Sequence, residues 1–131
     1  MTDAPSTSGR VETRPGRLSR SEDVQRVLRR GRSSAGDLLA VHRFERAATD
    51  APGGTGARFT VVASKRVGNA VRRNRAKRLL REAARARSWR DELDVVLVAR
   101  APSADSDVFR VGAELDRLGD KLDVFTVAAT S

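Results

Sequence analysis

The sequence predicts an α/β (α+β) sandwich, a small central sheet of about four strands packed with three helices in the order α-β-β-β-α-β-α. Three observations carry that reading. Residues 69–87 are rich in helix formers, contain no Pro, and repeat Ala76, Leu79, Leu80, Ala83 and Ala86 at helical spacing. Short β-branched runs lie on either side, at 58–64 and 93–99, and read as strands. The length of 131 residues suits one core, and the absence of Cys excludes disulfides and thiolate metal sites and fits a reducing compartment.

Taken in order, residues 1–17 are rich in Ser, Thr, Gly, Pro and Arg, hold little to bury, and are expected to be a disordered tail. Arg10, Arg14 and Arg17 there are candidates for weak phosphate contacts. A single domain is expected over 18–122. Its first helix spans 19–30, with Ser19 and Glu22 in a capping-box pattern, Val24, Val27 and Leu28 as the apolar stripe, and Gly31 past its end. Strand material follows at 32–46, centred on 38–44, with a short extra strand around 32–34. Leu38, Ala40, His42 and Phe44 share one face of it, and Leu39 and Val41 the other. Residues 47–57 read as a hairpin loop.

The strand at 58–64 puts Phe59, Val61 and Ala63 on one face and Thr60, Val62 and Ser64 on the other. The helix at 69–87 takes Asn69 as its N-cap. Trp89 lies in the next connection and reads as a lid on the core. Leu93–Ala99 is the buried central strand, ended by Arg100, Ala101 and Pro102. A last helix is capped by Ser103 or Asp105 and runs to Leu118 or Leu122. Its stripe is Val108, Leu115, Leu118 and Leu122, and Gly112 and Gly119 weaken it. Residues 123–131 are expected to fray.

The charge is the informative part. Of 26 basic and 17 acidic residues, ten basic and one acidic fall within 65–87. That stretch alone carries the net charge of the chain, +9, and everything else cancels. Arg73, Asn74, Lys77, Arg78, Arg81 and Arg85 gather opposite the apolar stripe, with Glu82 as the one acid. A solvated helix normally mixes signs to gain i,i+4 pairs. A one-signed face of guanidinium forks is instead the footprint of a polyanion site, since arginines bond phosphate oxygens bidentately. An anionic membrane is disfavoured because the opposite face is Ala-rich and lacks aromatic wedges. No signal-like apolar region and no membrane-span run occur, so a soluble cytoplasmic protein is expected.

No nucleophile–base pair, metal-ligand spacing or phosphate-cradling loop is present. The glycines at 53–56 have the wrong neighbours, and Asp91, Glu92 and Asp94 read as solvated carboxylates rather than a metal site. The chain is not expected to cleave anything unaided.

The run from Ala63 to Ala83 contains Ser64, Lys65, Arg66, Gly68, Asn69 and Ala70, then Arg73, Asn74 and Arg75, then Lys77, Arg78 and Arg81. It resembles the signature of the bacterial ribonuclease P protein component, with Ala76 departing where that family more often has a larger aliphatic residue. The resemblance covers roughly 18–122, strongly at the centre and weakly outside it. It implies a left-handed crossover between the strands at 58–64 and 93–99, against the general right-handed rule. It also implies an endoribonuclease subunit of tRNA 5′ maturation. The partners would be the catalytic RNA and precursor tRNA, with no membrane and no protein partner required. Hydrolysis, and the Mg2+ it needs, would reside mainly with the RNA.

The implied RNA-binding residues are Lys65, Arg66, Asn69, Arg72, Arg73, Asn74, Arg75, Lys77, Arg78 and Arg81. Among them Arg72, Arg73, Asn74, Arg75 and Arg78 would lie near the cleavage site. The implied cleft for the single-stranded 5′ leader takes Val24, Leu28 and His42, and Arg100 would face RNA. Family members usually carry aromatic residues at the Val24 and Leu28 positions, where bases stack, and ordinary core packing is an equally good reading of these two. Two other classes remain: a general RNA-binding module indifferent to a leader, and a double-stranded DNA binder. The latter is disfavoured because no helix-turn-helix pair or dimerisation element is visible.

Overall fold

The computed structural model describes residues 16–46 and 56–126. The expected loop lies outside them except for Gly56 and Ala57, as do residues 1–15 and 127–131 of the expected tails. The elements are β1 (Gly16–Arg17), α1 (Ser21–Arg30), β2 (Arg32–Ala35), β3 (Leu39–Glu45), β4 (Arg58–Ala63), α2 (Ala70–Arg85), β5 (Leu93–Ala99) and α3 (Val108–Leu122). Two 3-10 turns, Lys65–Val67 and Ala101–Asp105, precede α2 and α3. This is the expected α-β-β-β-α-β-α order, with the two-residue β1 added at one edge.

The sheet order is β1-β4-β5-β3-β2. β1 and β4 are parallel, as are β4 and β5, while β3 runs antiparallel to both β5 and β2. β5 takes the centre because it is the strand with apolar residues on both faces. Its Leu93, Val95 and Leu97 join Leu39, Val41, Phe59 and Val61 in the main core. α2 contributes Ala76, Leu79, Leu80, Ala83 and Ala84 to that core, and α3 contributes Val111, Leu115, Leu118 and Leu122. On the opposite face Val96 and Val98 meet α1 in a smaller cluster with Leu18, Val24, Val27 and Phe44.

Helix ends differ from the sequence reading in two places. The capping box at Ser19 does not form. α1 begins after Arg20, without a side-chain cap, and Glu22 pairs with Arg20 at 3.0 Å instead. Gly31 ends α1 in extended backbone, and it must be glycine for space, since a Cβ there would run into the carbonyl oxygens of Val27 and Arg43. Neither Ser103 nor Asp105 caps α3, because Pro102 directs both into the 3-10 turn. Asp107 caps α3 by accepting from the Arg110 N–H at 2.9 Å.

Residues 123–126 do not fray. Val124 is buried, its N–H donates to the Gly119 carbonyl, and Phe125 packs edge-on against Trp89 at 4.9 Å. Packing therefore continues to Thr126. Gly119 is small because a Cβ there would meet the Phe125 ring. Trp89 is the expected lid, stacked on Phe59 with its Nε1–H donating to the Ala84 carbonyl.

Asp94 is not a solvated carboxylate. It is 0% exposed, and it accepts from Arg46 at 2.5 Å and from Arg58 at 2.8 Å on each oxygen. Burial of a carboxylate in a central strand requires such partners. The Arg58 guanidinium is correspondingly raised above its ordinary pKa, chiefly by the bond to Asp94 and against the effect of burial. Asp91 is exposed, as expected.

Candidate nucleic-acid interface

β4 ends at Ala63, and the chain turns sharply into α2. The Ser64 hydroxyl accepts from the Arg66 N–H at 3.3 Å, and Val67 plugs the turn into the core. Gly68 has φ 138°, a region that L side chains rarely adopt. Asn69 caps α2 by accepting from the Arg72 N–H at 3.0 Å. The turn thus leaves Lys65 and Arg66 exposed at the foot of the helix.

The α2 cations fall into two groups. Arg72 bonds both oxygens of Asp105, at 2.8 and 2.9 Å, and also donates to the carbonyls of Val67 and Ala101. Arg75 donates to the Ala104 carbonyl at 2.7 Å, and Arg73 to the Gly68 carbonyl at 3.2 Å. These side chains tie α2 to the turns around it. The hydrogen bond from Arg72 holds the Asp105 carboxyl below its ordinary pKa, while Asp105 raises that of Arg72. In contrast, the side chains of Lys65, Arg66, Asn74, Lys77, Arg78 and Arg81 bond no described residue. The polyanion candidates of the central motif therefore lie on α2, its cap Asn69 and the 3-10 turn before it, and of them only this second group bonds no described residue.

The leader-cleft candidates lie on the other face of the sheet. His42 and Thr60 are both in register with Val96, and Ala40 and Val62 with Val98. α1 crosses only one end of this face. Asp23 comes within 3.8 Å of Arg58, and Gly31 abuts Arg43. The other end, with Ala40, Val98 and Val62, is only partly covered, and Val62 is 37% exposed. That open half borders Ser64, Lys65 and Arg100, where β4 and β5 end. Arg100 is exposed there.

Of the two aliphatic candidates, Val24 is half-buried against the α1 cluster, whereas Leu28, one turn on, is 36% exposed. His42 is half-buried, and burial lowers its pKa from the ordinary 6.5. Val62, Val98 and Thr60 were not among the sequence candidates. The alternation in 58–64 already put Thr60 and Val62 together, but only strand pairing shows that they face His42.

The Ribonuclease P family model matches residues 13–123. The chain belongs to the ribonuclease P protein family. The ribonuclease P protein component of Bacillus velezensis is 33% identical over 110 residues, covering 83% of this chain and 90% of that one. That of Dehalococcoides mccartyi is 38% identical over 88 residues, 67% of this chain and 68% of its own. Among solved structures, the RNase P protein of Staphylococcus aureus superposes with a TM-score of 0.70 at 27% identity, covering 84% of this chain and 97% of its own. The Thermotoga maritima protein shares the fold, with a TM-score of 0.63 at 23% identity. The run from Ala63 to Ala83, which carries the resemblance, lies within the matched residues and spans the end of β4, the turn at Lys65–Val67 and most of α2. Among the described residues no helix is long and apolar enough to cross a membrane, and no three His, Asp or Glu side chains come together as a metal site.

Proposed function

We propose that this chain works in the cytoplasm as the RNA-binding subunit of ribonuclease P, docking on the catalytic RNA and gripping the 5′ leader of precursor tRNA so that the leader is removed endonucleolytically. The observation that carries this reading is the juxtaposition of two surfaces. The unengaged cations at the foot of α2, Lys65 and Arg66, stand at the open end of the half-covered sheet face that holds His42, Val62 and Val98.

An extended single strand laid along that face would meet apolar floor and one imidazole, then cations where its phosphates leave the sheet. Arg78, Arg81 and Lys77 would neutralise the backbone of the folded catalytic RNA, an electrostatic, salt-dependent contact. Arg73 and Arg75, held by the carbonyls of Gly68 and Ala104, would present their remaining guanidinium N–H groups at fixed positions. The Mg2+ ions, which would supply the activated water and stabilise the leaving oxygen, would be held by the RNA; among the described residues no three His, Asp or Glu side chains come together. The protein's share is charge neutralisation and geometry.

The test is the ratio of affinities of the assembled enzyme for precursor and mature tRNA. The ratio is expected to rise when this chain is added to the catalytic RNA and to return to its RNA-only value when the leader is deleted. A protein effect of the same size on leaderless substrate would contradict the grip on the leader and favour a general RNA-binding module.

A further inference from the structure

A groove of about 470 Å3 runs between the edge of the sheet and the second half of α2. Phe59, Thr60 and Val61 of β4 line it, the Thr60 side chain itself belonging to the opposite face that it shares with His42. Arg17 of β1 stands at one side, and Arg78, Arg81 and Arg85 stand at the other with Glu82 among them. Arg17 is fixed there by its pairing with Phe59, by the Leu18 N–H bonding the Phe59 carbonyl at 2.8 Å, and by burial of Leu18 beneath α1. The three α2 arginines follow one another at i, i+3 and i+7, a stripe about 10 Å long at the helical rise.

These arginines differ from the others on and near α2. Arg72, Arg75 and Arg87 are engaged by Asp105, the Ala104 carbonyl and Asp116. Arg17, Arg78, Arg81 and Arg85 bond no described residue, and the one carboxylate beside them cannot neutralise four cations. A concave wall of one sign focuses its field into the groove, and guanidinium forks match phosphate oxygens in pairs. With four guanidinium groups and a single carboxylate in its lining, the groove suits an anion and not a metal cation.

We propose that this groove extends the RNA-backbone contact of Arg78 and Arg81 toward the sheet edge, taking successive phosphodiester groups of one strand, with Arg17 and Arg85 as further ligands outside the central motif. The inference rests on the reading of the chain as an RNA-binding subunit and adds a contact on the sheet-edge side of α2, away from the Asp105 flank. The phosphodiesters belong either to the catalytic RNA or to the precursor tRNA, and the experiment separates the two.

The full chain would carry Arg17→Gln, Arg85→Gln, both together, or Glu82→Gln, with thermal melts to confirm folding. Affinity is measured against salt, for the catalytic RNA alone and for precursor tRNA added to the assembled enzyme. Each arginine lost is expected to flatten the slope of log K against log salt by about 0.7 to 0.9 with the RNA that occupies the groove. Glu82→Gln is expected to tighten that same RNA roughly two- to fivefold, the weight of one exposed charge pair. Misfolding does not produce tighter binding, so this variant guards against a trivial loss. Unchanged slopes with both RNAs in the double variant, together with no gain from Glu82→Gln, would overturn the groove while leaving the subunit reading intact. A parent chain that binds neither RNA would overturn both.

Discussion

Arg72 grips Asp105 through two parallel bonds, Nη1 to Oδ1 at 2.8 Å and Nη2 to Oδ2 at 2.9 Å. Its Nε also reaches the Val67 carbonyl, so one side chain ties the start of α2 to the turn before it and to the turn after β5. Arg72 is thus a positioning residue. Arg72→Ala is expected to lower the thermal midpoint while flattening the salt slope of RNA binding less than Arg78→Ala does. A phosphate ligand would show the reverse pattern.

The same pair gives a pH expectation. The folded-state pKa of Asp105 lies below its ordinary 3.8, so the pair stabilises above that value and its contribution is lost only as pH falls through the lowered one. The contact is therefore intact throughout the neutral range. A carboxyl titration by NMR should find Asp105 below 3.8 in the parent and back near it in Arg72→Ala.

Asp94 faces two arginines at the centre of the sheet, and Arg46 is itself buried. Asp94→Ala leaves Arg46 as an uncompensated buried charge, which costs about 3 to 5 kcal/mol. Urea unfolding measures this as a lower midpoint at near-constant m.

His42 titrates below 6.5 because burial disfavours its charged form. The unfolded state then binds more protons on the acid side, so stability is full above the ordinary value and falls as pH drops below it. Comparing urea midpoints at about pH 7 and pH 5, the parent should lose more stability than His42→Phe.

Leu28 and Val24 should respond oppositely to an aromatic ring. Leu28 is partly exposed, so Leu28→Phe has room to stack on a base, worth about 1 to 3 kcal/mol in precursor affinity. Val24 packs in the α1 cluster, so Val24→Phe overfills it and costs about 1 to 3 kcal/mol of stability. Binding and melting of the two variants separate these outcomes.

Much of this was legible in the chain. The α2 stripe follows from local rules except at its end, where Ala84 is buried and Ala86 is exposed; so do the Asn69 cap and β5, and the charge concentrated at 65–87 pointed to a polyanion before any fold was known. The remainder depends on distant partners. Arg72 and Arg78 look alike in sequence, and only Asp105, brought close by the turn after β5, makes one a clamp. Asp94 looked solvated because Arg46 and Arg58 lie 48 and 36 residues away. Phe125 and Val124 looked like tail because their partners, Trp89 and the small Gly119, come from other elements or the far side of a helix end. Arg17 was already a phosphate candidate in the sequence, but its place beside Phe59 comes from a two-residue strand that has no pattern to detect.

The most direct test is cleavage of precursor tRNA by a bacterial ribonuclease P catalytic RNA at low Mg2+, with and without this chain. The account expects cleavage that depends on the protein and fades in Arg78→Ala combined with Lys65→Ala, with product ending at the mature tRNA 5′ end. Tight, salt-sensitive RNA binding with no stimulation of cleavage would contradict it.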